Sequence, residues 1–244
     1  MFLAIFWGYG IDAHSDTIKV AVASNFSAAI KSISAEFENA TNHKVLLAFG
    51  STGKHYAQIK NGAPFDIYFA ADKDTPARLE RDHVTQPNTR FTYALGKIVL
   101  WSPDMSATNI KESLFNLKNM NGKIAIANRR LSPYGLAASQ VLSNLDVSDL
   151  LSHKLVTAEN ISQTFQWVHS GNADLGFVAY SQVLNPNLDV QGSYWIPPQS
   201  LYDLIEQQAV LLKDNQVARD FISFVKGPAS REIIQLYGYD IPCY

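Results

Sequence analysis

The sequence predicts an α/β protein of two lobes, each a mostly parallel sheet flanked by helices, with a ligand cleft between the lobes. Three observations predict it. Short apolar runs alternate with segments of helical period. One long aromatic run, "FTYALGKIVLWSPD" (91–104), breaks the alternation near the middle. A second long apolar run, "QQAVLLKD" (207–214), appears near the end.

The first half alternates regularly. "IKVAVAS" (18–24) reads as a buried strand, and the next segment places Phe26, Ile30, Ile33 and Phe37 at helical spacing. "KVLLAFG" is a strand, "GKHYAQIKNG" a short helix and "FDIYFAA" a third strand. "DTPARLERDH" opens a helix with Pro76 near its first turn. Strands joined by helices of this length indicate βαβ units.

The aromatic run 91–104 is too long for one strand of that lobe and reads as a crossing into a second sheet. A new series follows: strand "KIAIAN", helix "YGLAASQVLSNL", strand "HKLVTA", helix "ISQTFQWVHSG", strand "DLGFVAY" and helical "SQVLN". The run 207–214 then returns, and helices over 218–239 close the chain. These boundaries give lobe 1 as residues 17–95 plus 206–244 and lobe 2 as 96–205. Two crossings make a hinge, and the cleft beside a hinge is the expected functional site.

Bulk properties exclude several classes. A formal charge of −2 argues against nucleic acid, which selects a basic field. Cys243 is the lone cysteine, so neither an internal disulfide framework nor a cysteine-based metal site is available. Residues 1–16 resemble a secretory signal peptide in their apolar stretch Phe2–Ile11 and the small residues after it, although the first positive charge is Lys19.

Four turns carry the candidate chemistry. Ser24 and Asn25 stand between the first strand and its helix, where such residues commonly cap. "FGSTGKHYAQI" (49–59) fails as a phosphate loop, because Gly50 and Gly53 are two residues apart and His55 follows Lys54. It fails as a nucleophile elbow because Phe49 stands where glycine is needed. What remains is a turn whose Ser51 and Thr52 hydroxyls, with nearby N–H groups, open a helix. Pro133-Tyr134-Gly135 starts a helix with proline in its first turn, and Asn160 caps one that starts near Ile161. Asp66, Asp72 and Asp74 read as strand-end turn residues, with Asp74 or Thr75 capping, and the six histidines lack metal-ligand spacing. Turns of this kind gather at the carboxyl ends of parallel strands. Helix N-termini and hydroxyls facing one cleft make a donor-rich, uncharged anion site.

These segments resemble the periplasmic molybdate-binding proteins of ABC importers, the ModA family. The resemblance rests on "VASNFSAAI", "FGSTGKHYAQIKNGAPFDIYFAAD", "RFTYALGKIVLWS", "SPYGLAASQVL", "SGNADLGFVAYSQ" and "FVKGPASREIIQLYGY". It implies a type II periplasmic binding protein fold and capture of molybdate or tungstate for a membrane permease. It also implies a periplasmic monomer with no catalysis, no cofactor and no nucleic acid. Carried over by position, the oxyanion is held by Ser24, Asn25, Thr52 beside Ser51, the Tyr134 backbone and the Ile161 helix start. Ser24, Thr52, Tyr134 and Ile161 are then ligands of the molybdate oxyanion, not of a bare cation. Two departures stand out. The position of a family tyrosine falls on Ala179, with Tyr180 one place later. Arg129 and Arg130 occupy a turn that often carries Asn-Pro. Binding of sulfate, phosphate or an organic anion, and a hydrolase using Ser51, remain the alternatives.

Overall fold

The computed structural model describes residues 16–104, 110–112 and 122–242. The leader-like residues 1–15 and Cys243 lie outside them. Among the described residues are two five-stranded sheets. The first contains β1 (Thr17–Ala23), β2 (Lys44–Gly50), β3 (Ile67–Phe69) and β4 (Phe91–Gly96). The second contains β5 (Ile98–Ser102), β6 (Ile124–Ala127), β7 (Leu155–Ala158), β8 (Leu175–Ala179) and β9 (Ser193–Trp195); β10 (Ile205–Leu211) rejoins the first.

Each sheet is built to the same plan. The first orders β2-β1-β3-β10-β4 and the second β7-β6-β8-β5-β9. Three parallel strands lead, with β1 paired to β2 and β3, and β6 to β7 and β8. The fourth strand is antiparallel in both and arrives from the other lobe: β10 beside β3, and β5 beside β8. The run 91–104 therefore does cross, with only Lys97 between β4 and β5. The outgoing and returning crossings are neighbours, since Gly96 pairs with Ile205. β9 was invisible to periodicity: at three residues on a sheet edge it shows too little alternation to register.

Helices cover the sheets as their apolar stripes require. α1 (Ser27–Thr41) buries Ile30, Ile33 and Phe37 in a core shared with Val20, Val22 and Phe69. α2 (Thr52–Lys60) and α3 (Asp74–Arg81) bury Ile59 and Leu79 beneath the opposite face, with Ala21, Tyr68 and Val210. In the second lobe, α4 (Pro133–Asn144) packs Ala138, Val141 and Leu142 on Ile98, Leu100 and Phe177, followed by a short α5 (Ser148–Leu151). α6 (Ile161–His169) covers the other face with Val168. α7 (Tyr180–Val183) follows β8 directly, and α8 (Gln216–Lys226) and α9 (Pro228–Leu236) return to the first core. Burial of each Val, Leu, Ile or Phe among these contributes about 1.5–3 kcal/mol before chain entropy is subtracted. No described helix is long and apolar enough to cross a membrane.

Candidate functional site between the lobes

Five of the six parallel strands end in small residues, Ala23, Gly50, Ala127, Ala158 and Ala179, and β3 is followed by Ala70 and Ala71. Pairing aligns these ends, Ala23 with Gly50 and Ala127 with Ala158. Small side chains there let the following turns bring backbone N–H groups close to one another. Gly135 shows how tight the approach is: a Cβ on it would lie 2.3 Å from the Ala127 carbonyl oxygen. Glycine is therefore required to seat α4 against β6.

The first turn answers why Ser24 and Asn25 sit at a helix mouth. They form a 3-10 turn (Ser24–Phe26) ahead of α1, and neither side chain caps the helix. Both are buried. Ser24 Oγ reaches across to Asn160 Oδ1 at 3.4 Å. Asn25 Nδ2 donates to Gln207 Oε1 at 2.6 Å and to the Tyr239 hydroxyl at 3.1 Å, so both its protons are engaged. Its remaining donor is the backbone N–H.

The second turn separates the roles of its two hydroxyls. Thr52 Oγ1 accepts the Ala71 N–H at 3.0 Å, and the Thr52 carbonyl accepts from the Tyr68 hydroxyl at 2.8 Å. These bonds fix the residue and leave its own O–H as a donor. Ser51 stands at the N-cap of α2 yet makes no capping bond. Its Oγ is buried with no partner among the described residues. A serine in the best capping position that does not cap is a donor held for something else. Beneath it, His55 is held neutral: burial lowers its pKa, opposed by its bond to Gln58. No cation is thereby supplied to the turn.

The second lobe contributes two helix starts. Ser132, extended and buried, leads into α4 with Pro133 at its first position. The N–H of Tyr134, in the first turn, has no intrahelical acceptor. The Tyr134 ring is buried, and its hydroxyl lies 3.4 Å from Gln207 Nε2. At α6 the Asn160 side chain accepts from Gln163 N at 3.0 Å, the cap the sequence predicts, and leaves the Ile161 N–H free of an intrahelical partner.

The lobes are closed on one another. Gly53 N–H donates to the Leu131 carbonyl at 2.9 Å, and Ser162 Oγ donates to the Ser24 carbonyl at 3.1 Å. Lys54 and Glu159 pair at 2.9 Å across the rim, both about half exposed. Such a pair adds little affinity. Ser24, Asn25, Ser51, Thr52, Tyr134 and Ile161 are all buried, and they belong to the four turns at the meeting ends of the sheets.

The sequence comparisons agree with this architecture. A family model for bacterial extracellular solute-binding proteins matches residues 18–240. The molybdate-binding protein ModA of Azotobacter vinelandii is 44% identical over 232 residues, covering 94% of this chain and 92% of the relative. The chain belongs to the ModA family. ModA of Rhodobacter capsulatus is 41% identical over 240 residues, covering 97% and 93% respectively. The solved structure of the Azotobacter vinelandii periplasmic molybdate-binding protein matches at a TM-score of 0.87 and 39% identity, covering 93% of this chain and all of that one. The two-lobed α/β fold expected from the resemblance is the fold of this family member.

Several local readings change. Neither Asp74 nor Thr75 caps α3: Lys73 holds the cap position without a side-chain bond, and Asp72 Oδ1 just before it accepts Thr75 N at 3.0 Å and Thr75 Oγ1 at 2.6 Å. Asp66 Oδ2 accepts Lys19 N, tying β1 to the segment before β3. Tyr180 turns away from the cleft, as strand alternation suggests, and its hydroxyl lies 3.4 Å from that of Tyr194. The inward position belongs to Ser181, whose Oγ donates to the Asn25 carbonyl at 3.2 Å. Sequence reasoning missed Ser181, Gln207 and Tyr239. Only Gln207 carried a signal: a glutamine inside an apolar strand must find buried partners.

Arg129 and Arg130 are exposed on the turn whose Leu131 carbonyl receives Gly53. Exposed charges at a cleft rim raise the association rate of an oppositely charged ligand more than they tighten its binding. Replacing both with Gln should lower the association rate and its salt dependence, while changing the dissociation rate little. Stopped-flow rates at low salt that match wild type would make them ordinary loop charges.

Proposed function

We propose that this chain captures molybdate, or tungstate, between its lobes outside the cytoplasm and delivers it to the permease of an ABC importer. The observation that carries the reading is the Ser51 hydroxyl, buried and without a partner among the described residues at the N-terminus of α2, a turn that bonds the other lobe through Gly53 N–H and the Leu131 carbonyl. An oxyanion there meets hydroxyls of Ser24, Ser51 and Thr52 and backbone N–H groups of Asn25, Tyr134 and Ile161. Helix N-termini favour the negative charge without any cationic side chain. Both second-turn hydroxyls keep a donor: Ser51 Oγ has no partner among the described residues, and Thr52 Oγ1 accepts the Ala71 N–H without using its own proton.

The molybdate-binding relatives support the choice of anion. The reading includes a cleavable leader over residues 1–16, a periplasmic monomer, and lobes bounded at 17–95 plus 206–244 and at 96–205. It requires no cofactor, no nucleic acid and no catalytic step: a serine hydrolase needs a base hydrogen-bonded to its serine, and among the described residues neither Ser51 Oγ nor His55 Nε2 has a hydrogen-bond partner, so the two are not joined.

Calorimetric titration against molybdate, tungstate, sulfate and phosphate tests the function. Ser24→Ala, Ser51→Ala and Thr52→Ala should each weaken molybdate binding by about one to two decades, the worth of a hydrogen bond to a charged partner. The fold should stay nearly intact in the two serine variants. Wild-type affinity in a variant would remove that residue from the site.

A further inference from the structure

Behind the first turn lies a buried hydrogen-bond ring that joins the lobes. Asn25 Nδ2 donates to the Tyr239 hydroxyl at 3.1 Å. That hydroxyl donates to Ser181 Oγ at 2.9 Å, and Ser181 Oγ donates to the Asn25 carbonyl at 3.2 Å. The ring closes with each donor used once and all three residues buried. Asn25 and Tyr239 belong to the first lobe, Tyr239 through the tail that pairs Asp240 with Leu95 of β4. Ser181 belongs to the second lobe, in the short α7 after β8.

The Tyr239 hydroxyl has a second acceptor. The Asn25 carbonyl oxygen lies 2.8 Å away, on the same lobe. Its one proton cannot serve both at once. With Ser181 present, that serine supplies the Asn25 carbonyl and the tyrosine proton is free to cross the interface. With the lobes apart, the proton can return to the carbonyl. The ring of Tyr239 packs edge-on against Phe26, centroids 5.6 Å apart, so its aromatic body is fixed and the O–H rotor is the part that moves.

We infer that Tyr239 is a positioning residue that holds the Asn25 turn and latches the closed lobes, by turning its proton from the Asn25 carbonyl to Ser181 Oγ when the lobes meet. The inference rests on the anion-binding reading above. Both states keep the Asn25 carbonyl satisfied, so closure proceeds without a stranded buried acceptor. The ring exists only in the closed form, so the latch acts on release of the anion rather than on its entry. Chained hydrogen bonds polarise one another, so the ring acts as a unit.

The test compares wild type, Tyr239→Phe, Ser181→Ala and the double variant by stopped-flow association and displacement. Each single variant should raise the dissociation rate about three- to tenfold, the worth of one neutral hydrogen bond, with the association rate unchanged within about twofold. The double variant should release no faster than the worse single one, because both break the same ring. The phenylalanine keeps the packing on Phe26 but loses the bond to the Asn25 carbonyl that serves the open lobes, so its unliganded melting temperature should fall, while that of Ser181→Ala should stay at the wild-type value. Additive losses, an effect confined to association, or an unchanged dissociation rate would overturn the latch. So would a fall in unliganded stability with release unaffected, which would mark a packing role. The series is run with whichever of molybdate, tungstate, sulfate and phosphate the wild type binds most tightly. A wild type that binds sulfate and ignores molybdate therefore overturns the choice of anion and still decides the latch.

Discussion

Gly53→Val should reduce molybdate affinity about a hundredfold or more while leaving the unliganded protein folded. Gly53 lies in the first turn of α2, directly against the second lobe. A Cβ there would sit 3.1 Å from Leu131 Cα and 3.2 Å from Leu131 Cδ2. The Cα belongs to backbone and cannot swing aside, and the two γ-carbons of valine fill the same gap on a stiff side chain. Within the first lobe, a valine at this position costs nothing in helix propensity, since glycine is the poorer helix former. The clash arises solely on closure, which also loses the Gly53 N–H to Leu131 bond at 2.9 Å. Holding the lobes apart would withhold the Tyr134 and Ile161 N–H groups from an anion seated on Ser24, Ser51 and Thr52. Two charge-assisted hydrogen bonds at about 1.5–3 kcal/mol each exceed the roughly 2.7 kcal/mol that a hundredfold represents. Calorimetry gives the affinity, and a melting curve without anion gives the fold. Wild-type affinity in this variant would mean that binding does not need the closed form.

How far the sequence alone reaches differs between fold and site. The strand-helix alternation was legible because each element buries one continuous stripe, as Ile30, Ile33 and Phe37 do. The crossing at 91–104 was legible because no strand of these sheets runs so long. The four turns were legible as helix starts, since capping chemistry is local. What lies between the turns was not. Ser51 and Asn160 both look like caps in sequence, and only the second caps. Nothing in the local sequence marks that difference. The same holds for Tyr239, whose Asn25 partner is 214 residues distant and leaves no periodic trace. Spacing reveals a residue that interacts within its own helix or strand; one that works across the cleft shows only when the lobes meet.

Selectivity among oxyanions is the second large effect, and it follows from which atoms line the turns. The proposed site, with Ser24, Ser51 and Thr52 hydroxyls and Asn25, Tyr134 and Ile161 N–H groups, would offer donors to every oxygen of a fully deprotonated tetrahedral dianion. Phosphate near neutral pH keeps at least one proton, which needs an acceptor. A donor-lined site leaves that proton unpaired at a cost of about 1–3 kcal/mol. Hydroxyls can rotate to accept, and the buried Asn25 Oδ1 has no partner among the described residues, so rejection of phosphate should be partial. Sulfate carries no such proton. Its oxygens lie closer to the central atom than those of molybdate, so it cannot reach the donors of both lobes at once. Closure cannot compensate, because Gly53 already meets Leu131 at hydrogen-bond distance. Molybdate and tungstate should therefore raise the melting temperature while sulfate and phosphate raise it weakly or not at all. Anion at about a hundred times its Kd adds roughly 2.7 kcal/mol to the folded state. For a chain of this size that is a shift of about 5–10 °C. The measurement requires protein stripped of bound anion, with each anion added at the same concentration. Equal shifts from sulfate and molybdate would sink the size argument and leave a general oxyanion binder with the same cleft.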